Sequence, residues 1–298
     1  MIRVHGIYDV EGWAYERRLL ALKKYAPDDI EFSVGDTRFA RDTPMDYDLV
    51  FLLCYGQCKR IRQHLRRVDS KALLMAGYNC GWGYRGEYYH ELQQHADHVL
   101  FNNHENWIKH GKPLSTAWIS NGVDRDVFNV QSPIADRSPR ALWCGSEFHI
   151  KNNDVKNYLS LLRPLADRLE RVGIASDFHV VDSHGEDRRT AQQMAAWYNT
   201  GTIYVVASDH EGTPNPALEA AACGCTVVSV CVGNMPELIE HRGNGVLVDR
   251  TLDDLFAGVL FASERYVALA TAMQQTIEYW DWKYRAQQYF ALFRKLIR

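Results

Sequence analysis

The hydrophobic residues of the chain fall into short, nearly continuous runs, separated by longer stretches in which apolar positions recur with helical spacing. Such runs are typical of parallel strands that are buried on both faces. Their alternation with helical segments predicts two doubly wound α/β units. The predicted strands are residues 2–8, 30–34, 48–54, 71–76, 98–102, 115–120, 140–145, 177–181, 202–208, 226–230 and 245–248.

The segment at 129–140 divides the two predicted units. It is polar, contains two prolines and lacks periodicity, which is typical of a linker. We therefore expect a first Rossmann-like domain at 1–128, a second at 129–280 and a final helix at 281–298. Two such domains would leave a cleft between them, and ligands usually bind in clefts of this kind.

Composition narrows the classes of protein that fit. The formal net charge of −3 gives no global attraction to nucleic acid or to anionic membranes. We expect no transmembrane segment, since no apolar run reaches the ~18 residues of a span, and the N-terminus lacks the apolar core of a signal peptide. Seven cysteines scattered through apolar segments favour a cytoplasmic location, and none forms a pair of zinc-binding motifs.

The segment SDHEGTPNPALEAAACG follows a predicted buried strand and contains two glutamates, Glu211 and Glu219. Open parallel sheets bind ligands at the carboxyl ends of their strands. Asn215 and Pro216 predict the N-cap and first turn of a helix that ends at Gly224, which places Glu219 in the first turn. A helix N-terminus suits a phosphate, and carboxylates suit sugar hydroxyls. The pattern fits a sugar-nucleotide site, or a βα turn in which Glu219 only complements the helix dipole.

A longer run, EGTPNPALEAAACGCTVVSVCVGNMPELIEHRGNGVLVD at 211–249, resembles the Glu-x7-Glu region of retaining GT-B glycosyltransferases of family 4, the group 1 type. SNGVDRDVF at 120–128 resembles the segment that closes the first domain in that family. YWDWKYRAQQYFALF at 279–293 resembles the family's final helix, which crosses back onto the first domain. The resemblance covers about residues 115–298 and implies a GT-B fold, in which two Rossmann-like domains with doubly wound parallel sheets face each other across a cleft.

The resemblance implies a role for each matched residue. Glu211 would contact the donor sugar near the reacting carbon, and Glu219 would hold the ribose hydroxyls of the nucleotide. The backbone N–H groups of Gly212 and Thr213 would help to cradle the sugar and the diphosphate. Lys151 matches the lysine that would stabilise the leaving diphosphate as preorganised positive charge.

One position departs from the family pattern. In LWCGSEFHIKNN, Gly145 matches the family glycine, but Ser146 stands where the family has an arginine on the diphosphate. The second phosphate cation is therefore missing, or it is supplied by Arg188 or Arg189. The departure leaves open an epimerase of similar fold, or a sugar-nucleotide-binding protein without transferase activity.

The first predicted domain carries the acceptor-side candidates. Gly12 and Trp13 lie where the family has a glycine-rich turn near the acceptor and the diphosphate. Asn79 stands where many relatives have a histidine, and an asparagine cannot act as a base. Three aromatic side chains, Tyr78, Trp82 and Tyr84, either stack on a sugar or base or pack in the core, which is the more frequent role of aromatic side chains.

The segment CKRIRQHLRRVDSK at 58–71 predicts a basic helix over 58–70. Its apolar stripe leaves five basic side chains largely outward, namely Lys59, Arg60, Arg62, Arg66 and Arg67. Such a face would bind the protein peripherally to an anionic membrane or to a polyanion. The alternative is a solvated helix face, and the acidic net charge of the chain favours this alternative.

Two short motifs point to other classes of protein. GWGYRG at 81–86 matches the dinucleotide-binding pattern of an NAD-dependent oxidoreductase. Trp82 and Tyr84 are too bulky to let the backbone approach a pyrophosphate, and the next strand ends in Asn102 rather than an acidic residue. DRD at 124–126 mimics a metal-binding Asp-x-Asp motif, but its place at a domain end predicts a turn.

Together, the resemblance and the residues predict an enzyme of the hexosyltransferase type. It would take a sugar from a UDP-, GDP- or ADP-sugar, retain the anomeric configuration, and need neither a catalytic metal nor a cofactor. The acceptor stays open between a glycan, a lipid-linked sugar, a protein and a modified nucleic acid.

Overall fold

The structure is a computed structural model that describes residues 1–37, 46–78, 86–109, 116–182 and 188–298. Contacts between Cα atoms divide the chain into two compact units. The first consists of Met1–Gly122 together with Trp282–Arg298, and the second consists of Val123–Asp281. Each unit contains one parallel sheet with helices around it.

The first unit has a six-stranded sheet in the order β2-β1-β3-β4-β5-β6. Its strands are β1 (Ile2–Tyr8), β2 (Ile30–Asp36), β3 (Leu49–Leu52), β4 (Leu73–Tyr78), β5 (His98–Phe101) and β6 (Thr116–Trp118). Its helices are α1 (Ala14–Lys24), α2 (Cys58–Arg67), α3 (Gly86–His95), α4 (His104–Lys109) and α11 (Trp282–Ile297).

The second unit has a five-stranded sheet in the order β11-β10-β9-β7-β8. Its strands are β7 (Arg140–Ser146), β8 (Ala175–Val181), β9 (Ile203–Val206), β10 (Thr226–Val230) and β11 (Gly245–Val248). Its helices are α5 (Glu147–Lys151), α6 (Arg163–Glu170), α7 (Ala191–Tyr198), α8 (Asn215–Ala222), α9 (Met235–Leu238) and α10 (Leu252–Glu278). Every strand predicted from the sequence has a counterpart, since most of their residues are buried in the core.

Helix α11 packs in the core of the first unit. Five of its side chains are buried and Ile297 is partly buried; the buried ones are Trp282, Ala286, Tyr289, Phe290 and Phe293. The buried Arg18 of α1 lies over the Tyr289 ring at 5.2 Å and donates to its hydroxyl at 2.5 Å. Tyr289 in turn donates to the carbonyl of Ile119 at 3.1 Å. One hydroxyl therefore joins α1, α11 and the chain after β6.

Replacing Tyr289 with phenylalanine should lower the free energy of unfolding by about 1–3 kcal/mol, because a buried guanidinium and a buried carbonyl each lose a partner. Urea denaturation followed by circular dichroism measures this change. Tyr284→Phe is the matched control, since Tyr284 lies on the same helix and is 42% exposed. Equal losses in the two variants would contradict the role given to the Tyr289 hydroxyl.

Hydrogen bonds attach the predicted linker, residues 129–140, to the rest of the second unit. The buried Arg137 donates to the carbonyls of Cys223 at 2.9 Å and Ser132 at 2.9 Å. At the start of the unit, the N–H of Val123 donates to the carbonyl of Trp280 at 2.9 Å. The boundary between the units accordingly lies before Val123, earlier than the position after residue 128 that composition suggested.

In the part of the chain that the structure describes, α10 is the one helix long and apolar enough to cross a membrane by length and composition. The absence of an 18-residue apolar run had argued against such a helix. Length and composition alone are weak evidence for a span. One side of α10 packs on β10, β11 and α8, which is the arrangement of a core helix.

Two of the five basic side chains predicted to point outward from α2 form contacts within the first unit. Arg60 donates to the carbonyl of Thr37 at 2.5 Å, and Arg62 pairs with Asp97 at 2.5 Å. These contacts shrink the surface on which docking to a membrane or a polyanion was predicted, and that docking stays a prediction.

Candidate active site

The predicted strand–loop–helix unit with the two glutamates is present at the carboxyl end of β9, but its helix starts differently. Pro214 occupies the capping position without a side-chain hydrogen bond, so Asn215 is the first helical residue rather than the N-cap. Glu219 consequently lies one turn into α8 and not in its first turn. Gly224, with a φ of +91°, follows the last helical turn, as the sequence predicted.

Glu211 lies at the centre of this site and is paired with a lysine. Its Oε1 atom forms an ion pair with Nζ of Lys156 and accepts a hydrogen bond from the hydroxyl of Ser208 at 2.8 Å. The side chains of Lys156 and Glu211 are only 18% and 11% exposed. Since both contacts fall on Oε1, Oε2 has no hydrogen-bond partner among the described residues.

A short loop between α5 and α6 holds Lys156 in place. The carbonyl of Val155 accepts from the N–H of Asp209 at 3.0 Å. The Asn157 amide donates to the carbonyl of Ala207 and to the Asp209 carboxylate, both at 2.8 Å. These bonds dock the loop onto the segment after β9, and Lys156 is thereby directed at Glu211.

The lysine that the sequence singled out, Lys151, pairs with a different glutamate, and its role on the diphosphate stays a prediction. Lys151, the last residue of α5, pairs with Glu147 one turn earlier at 2.8 Å and is 64% exposed. The structure therefore brings Lys156, which sequence reasoning missed, onto Glu211. The local sequence offers only an asparagine directly after Lys156: asparagine tolerates left-handed backbone, and Asn157 adopts it with a φ of +54°, which marks a turn but not the contact with Glu211.

The second glutamate is held by a buried tyrosine. The hydroxyl of Tyr198, at the end of α7, donates to Oε2 of Glu219 at 3.0 Å. Tyr198 also lies 3.7 Å from the Sγ atom of Cys144, which is 3.5 Å from the hydroxyl of Tyr204. Burial raises the pKa of Tyr198 well above its usual range, so its hydroxyl stays protonated and serves as a donor.

The loop after β10 packs against the backbone of Glu211 and Gly212. This packing explains why the run that resembles the family has a glycine at position 233. Gly233 has a φ of +56°, and a Cβ atom there would lie 2.6 Å from the carbonyl oxygen of Gly212. Its neighbour, the buried Asn234, donates to the Thr213 hydroxyl at 3.2 Å. Only a glycine fits this close approach, which fixes the backbone of the predicted diphosphate cradle.

The Gly145–Ser146 pair has local structural roles in this structure. A Cβ atom at Gly145 would lie 2.5 Å from the ring of Trp143. The hydroxyl of Ser146 accepts from the N–H of Phe148 at 3.2 Å and so caps α5. Ser146 therefore brings no positive charge to the site.

Two further basic side chains, His149 and Arg189, act electrostatically on groups of the site. Burial, with the charge of Lys156, lowers the pKa of His149 while Glu211 opposes the shift, so this imidazole is neutral near pH 7. Arg189 lies over the ring of Trp197 at 5.0 Å, and its Nη1 atom is buried without a hydrogen-bond partner among the described residues. Burial raises the pKa of the Cys144 thiol to about 11, and the Arg189 charge opposes that rise.

The acceptor-side candidates are described only in part. Gly12 has a φ of +74°, and its N–H donates to Glu16 at 2.5 Å in the turn that precedes α1. Trp13 occupies the N-cap position of that helix without a side-chain capping hydrogen bond and is 46% exposed. Asn79 and Trp82 lie outside the described residues.

The GxGxxG run at 81–86 and the DRD motif at 124–126 are the two short motifs that pointed to other classes of protein. Residues 81–85 of the GxGxxG run lie outside the described residues, and Tyr78 packs in the core against Tyr55, Tyr89 and Phe101. Asp124 accepts from the N–H of Asp126 at 3.2 Å, which is the turn that the DRD motif predicted. No group of three or more His, Cys, Asp and Glu side chains able to hold a metal occurs within the described ranges.

Comparison with known sequences supports the resemblance. Residues 161–276 match the family model Glycosyl transferases group 1. The D-inositol 3-phosphate glycosyltransferase of Pseudarthrobacter chlorophenolicus is 42% identical over 60 residues. That segment is 20% of this chain and 14% of the relative, so the chain matches only a small part of the relative's length. The resemblance to group 1 glycosyltransferases is confirmed for the matched region.

Comparison with solved structures identifies the fold. Sucrose-phosphate synthase from Thermosynechococcus elongatus is similar with a TM-score of 0.72 at 14% identity, over 99% of both chains. HepE from Anabaena, in complex with UDP and glucose, has a TM-score of 0.73 at 13% identity, over 99% of this chain and 100% of the other. The two parallel sheets and these neighbours confirm the predicted GT-B fold.

Proposed function

We propose that this chain, a GT-B protein whose residues 161–276 match group 1 glycosyltransferases, transfers a sugar from a nucleotide-sugar donor to an acceptor. The Lys156–Glu211 pair at the carboxyl end of β9 carries the proposal. An ion pair this shielded from water loses solvation, and this one lies at the carboxyl end of a parallel strand, where open sheets bind their ligands.

The two residues of the pair have different tasks in the proposed reaction. When the bond between sugar and diphosphate breaks, negative charge grows on the diphosphate, and Lys156 and the N-terminus of α8 stabilise it. Glu211 orients Lys156 through Oε1, and its Oε2 accepts a hydroxyl of the donor sugar. Arg189 supplies the second positive charge that Ser146 does not provide. This arrangement needs no metal in the proposed reaction.

Glu219 completes the proposed donor site by binding the ribose hydroxyls of the nucleotide. The structure of HepE with UDP and glucose supports a uridine nucleotide as the first candidate donor. Retention of the anomeric configuration is part of the proposal, and it rests on the Glu-x7-Glu resemblance. The acceptor is left unassigned.

A nucleotide panel tests the proposal. UDP, GDP, ADP and NAD are compared by thermal shift and isothermal titration calorimetry, and we expect one nucleoside diphosphate to stabilise the protein. The matching sugar donors are then incubated with the enzyme, and mass spectrometry detects the released diphosphate and its products. Stabilisation by NAD alone would overturn the proposal in favour of an oxidoreductase. Binding without donor cleavage would identify a sugar-nucleotide-binding protein, and a changed sugar on an intact nucleotide would identify an epimerase.

A further inference from the structure

The buried cluster behind Glu219 has no role in the proposed reaction so far. It consists of Tyr198, Cys144 and Tyr204, at the end of α7 and in strands β7 and β9. Tyr198 and Tyr204 are buried, and their hydroxyls converge on the Cys144 sulfur. Buried polar groups cost free energy unless they are hydrogen-bonded, and in this network the hydrogen bonds also hold the side chains beside Glu219 in one arrangement.

We propose that Tyr198 is a positioning residue that makes the site selective for ribose nucleotides, by fixing the carboxylate of Glu219 toward the ribose diol. The inference rests on the proposed function, since it assigns Glu219 to the ribose. Tyr198 itself does not touch the ligand. It acts through its 3.0 Å hydrogen bond to Oε2 of Glu219.

The hydrogen bonds of the cluster favour donation of the Tyr198 hydroxyl proton to Glu219. The backbone N–H of Cys144 donates to the Tyr204 hydroxyl at 3.2 Å, so the Tyr204 oxygen is already an acceptor. Burial raises the pKa of the Cys144 thiol to about 11, so it keeps its proton and can donate it to the oxygen of Tyr198 or Tyr204. The Tyr198 proton is thereby left for Glu219, which as a carboxylate can only accept.

The consequence is selectivity rather than general affinity. A glutamate side chain has several rotamers of similar energy, and it contacts two neighbouring hydroxyls only when its carboxylate is held in one orientation. The hydrogen bond from the rigid, buried tyrosine imposes that orientation before the ligand binds, so less entropy is lost on binding. A nucleotide without the ribose hydroxyls gains nothing from it.

The test compares UDP with 2′,3′-dideoxy-UDP by isothermal titration calorimetry on the full chain. Tyr198→Phe should bind UDP about tenfold more weakly, as expected for losing one hydrogen bond to a charged group, and should bind the dideoxy nucleotide unchanged. In a Glu219→Ala background, which removes every acceptor of the Tyr198 hydroxyl at this position, the same substitution should have no further effect on UDP binding, since Tyr198 acts through the Glu219 side chain. If the wild type prefers GDP or ADP, the corresponding pair of nucleotides replaces UDP.

Tyr204→Phe is the matched control, because it removes a hydroxyl from the same cluster without removing a contact to Glu219. It should leave the ratio of UDP to dideoxy-UDP affinity as in the wild type. Equal loss of both nucleotides in Tyr198→Phe, or an unchanged UDP affinity, would overturn the inference. A wild type that binds no nucleoside diphosphate would instead contradict the proposed function, so the two failures are distinguishable.

Discussion

Lys156→Met is expected to lower kcat for sugar transfer by about 100- to 1,000-fold, the usual effect of removing one preorganised group that stabilises transition-state charge. Methionine keeps the unbranched shape of the side chain but removes the charge. The loss should fall mainly on kcat, because the charge that Lys156 meets grows on the leaving diphosphate as the bond breaks. Steady-state kinetics with the donor identified by the nucleotide panel measure the change.

Lys151→Met provides a sharp control, because Lys151 is the lysine to which the sequence resemblance gave this role. Its exposed ion pair with Glu147 is a helix-surface contact of the type worth only about 0.3–0.5 kcal/mol. We expect kcat and KM of this variant to stay within about twofold of the wild type, as for other surface substitutions. If Lys151→Met lost activity and Lys156→Met kept it, the site built on the Lys156–Glu211 pair would be wrong.

The two lysines differ in a property that a sequence pattern does not encode. Lys151 and Lys156 both follow β7, and Lys151 has the spacing that the resemblance expects after Gly145. Lys156 reaches Glu211 because Val155 and Asn157 form hydrogen bonds to the segment after β9, 50 or more residues further along the chain. Those hydrogen bonds depend on tertiary placement, whereas residue type and local spacing are all that the sequence displays.

The strands were predictable for a simple physical reason. Parallel strands covered on both faces need continuous apolar runs, and these runs stand out against the polar segments that flank them. β1, β10 and β11 have the predicted bounds, and the other strands differ from prediction only at their ends. The start of α8 was less predictable, since Pro214 and Asn215 compete for the same capping position.

Of the candidate site, the sequence singled out the two glutamates, and their roles in donor binding stay a prediction. Glu211 and Glu219 are visible in the sequence because they flank a strand–loop–helix junction with prolines and a terminating glycine. The residues that hold them, Lys156 and Tyr198, come from other elements of the second unit. Tyr198 ends a helix with the apolar neighbours of an ordinary core residue, so no local pattern distinguishes its hydroxyl from one that only packs.

Glu211→Gln should lower kcat by about 100-fold or more, in the range seen when an electrostatic partner of a reacting group is removed. The amide keeps the shape of the side chain and can still accept from Ser208, but it cannot form the ion pair with Lys156. Two functions are lost together: the orientation of Lys156 and the acceptor for the donor sugar. Donor turnover and product release, followed by mass spectrometry, measure the loss.

The second lysine–glutamate pair supplies the control for this variant. Glu147→Gln removes the carboxylate of the exposed pair and should leave turnover within about twofold of the wild type. In the double variant Lys156→Met, Glu211→Gln, the loss should be smaller than the product of the two single losses, because both substitutions break the same contact. Fully multiplicative losses would show that Glu211 and Lys156 act independently and would contradict the positioning of Lys156 by Glu211.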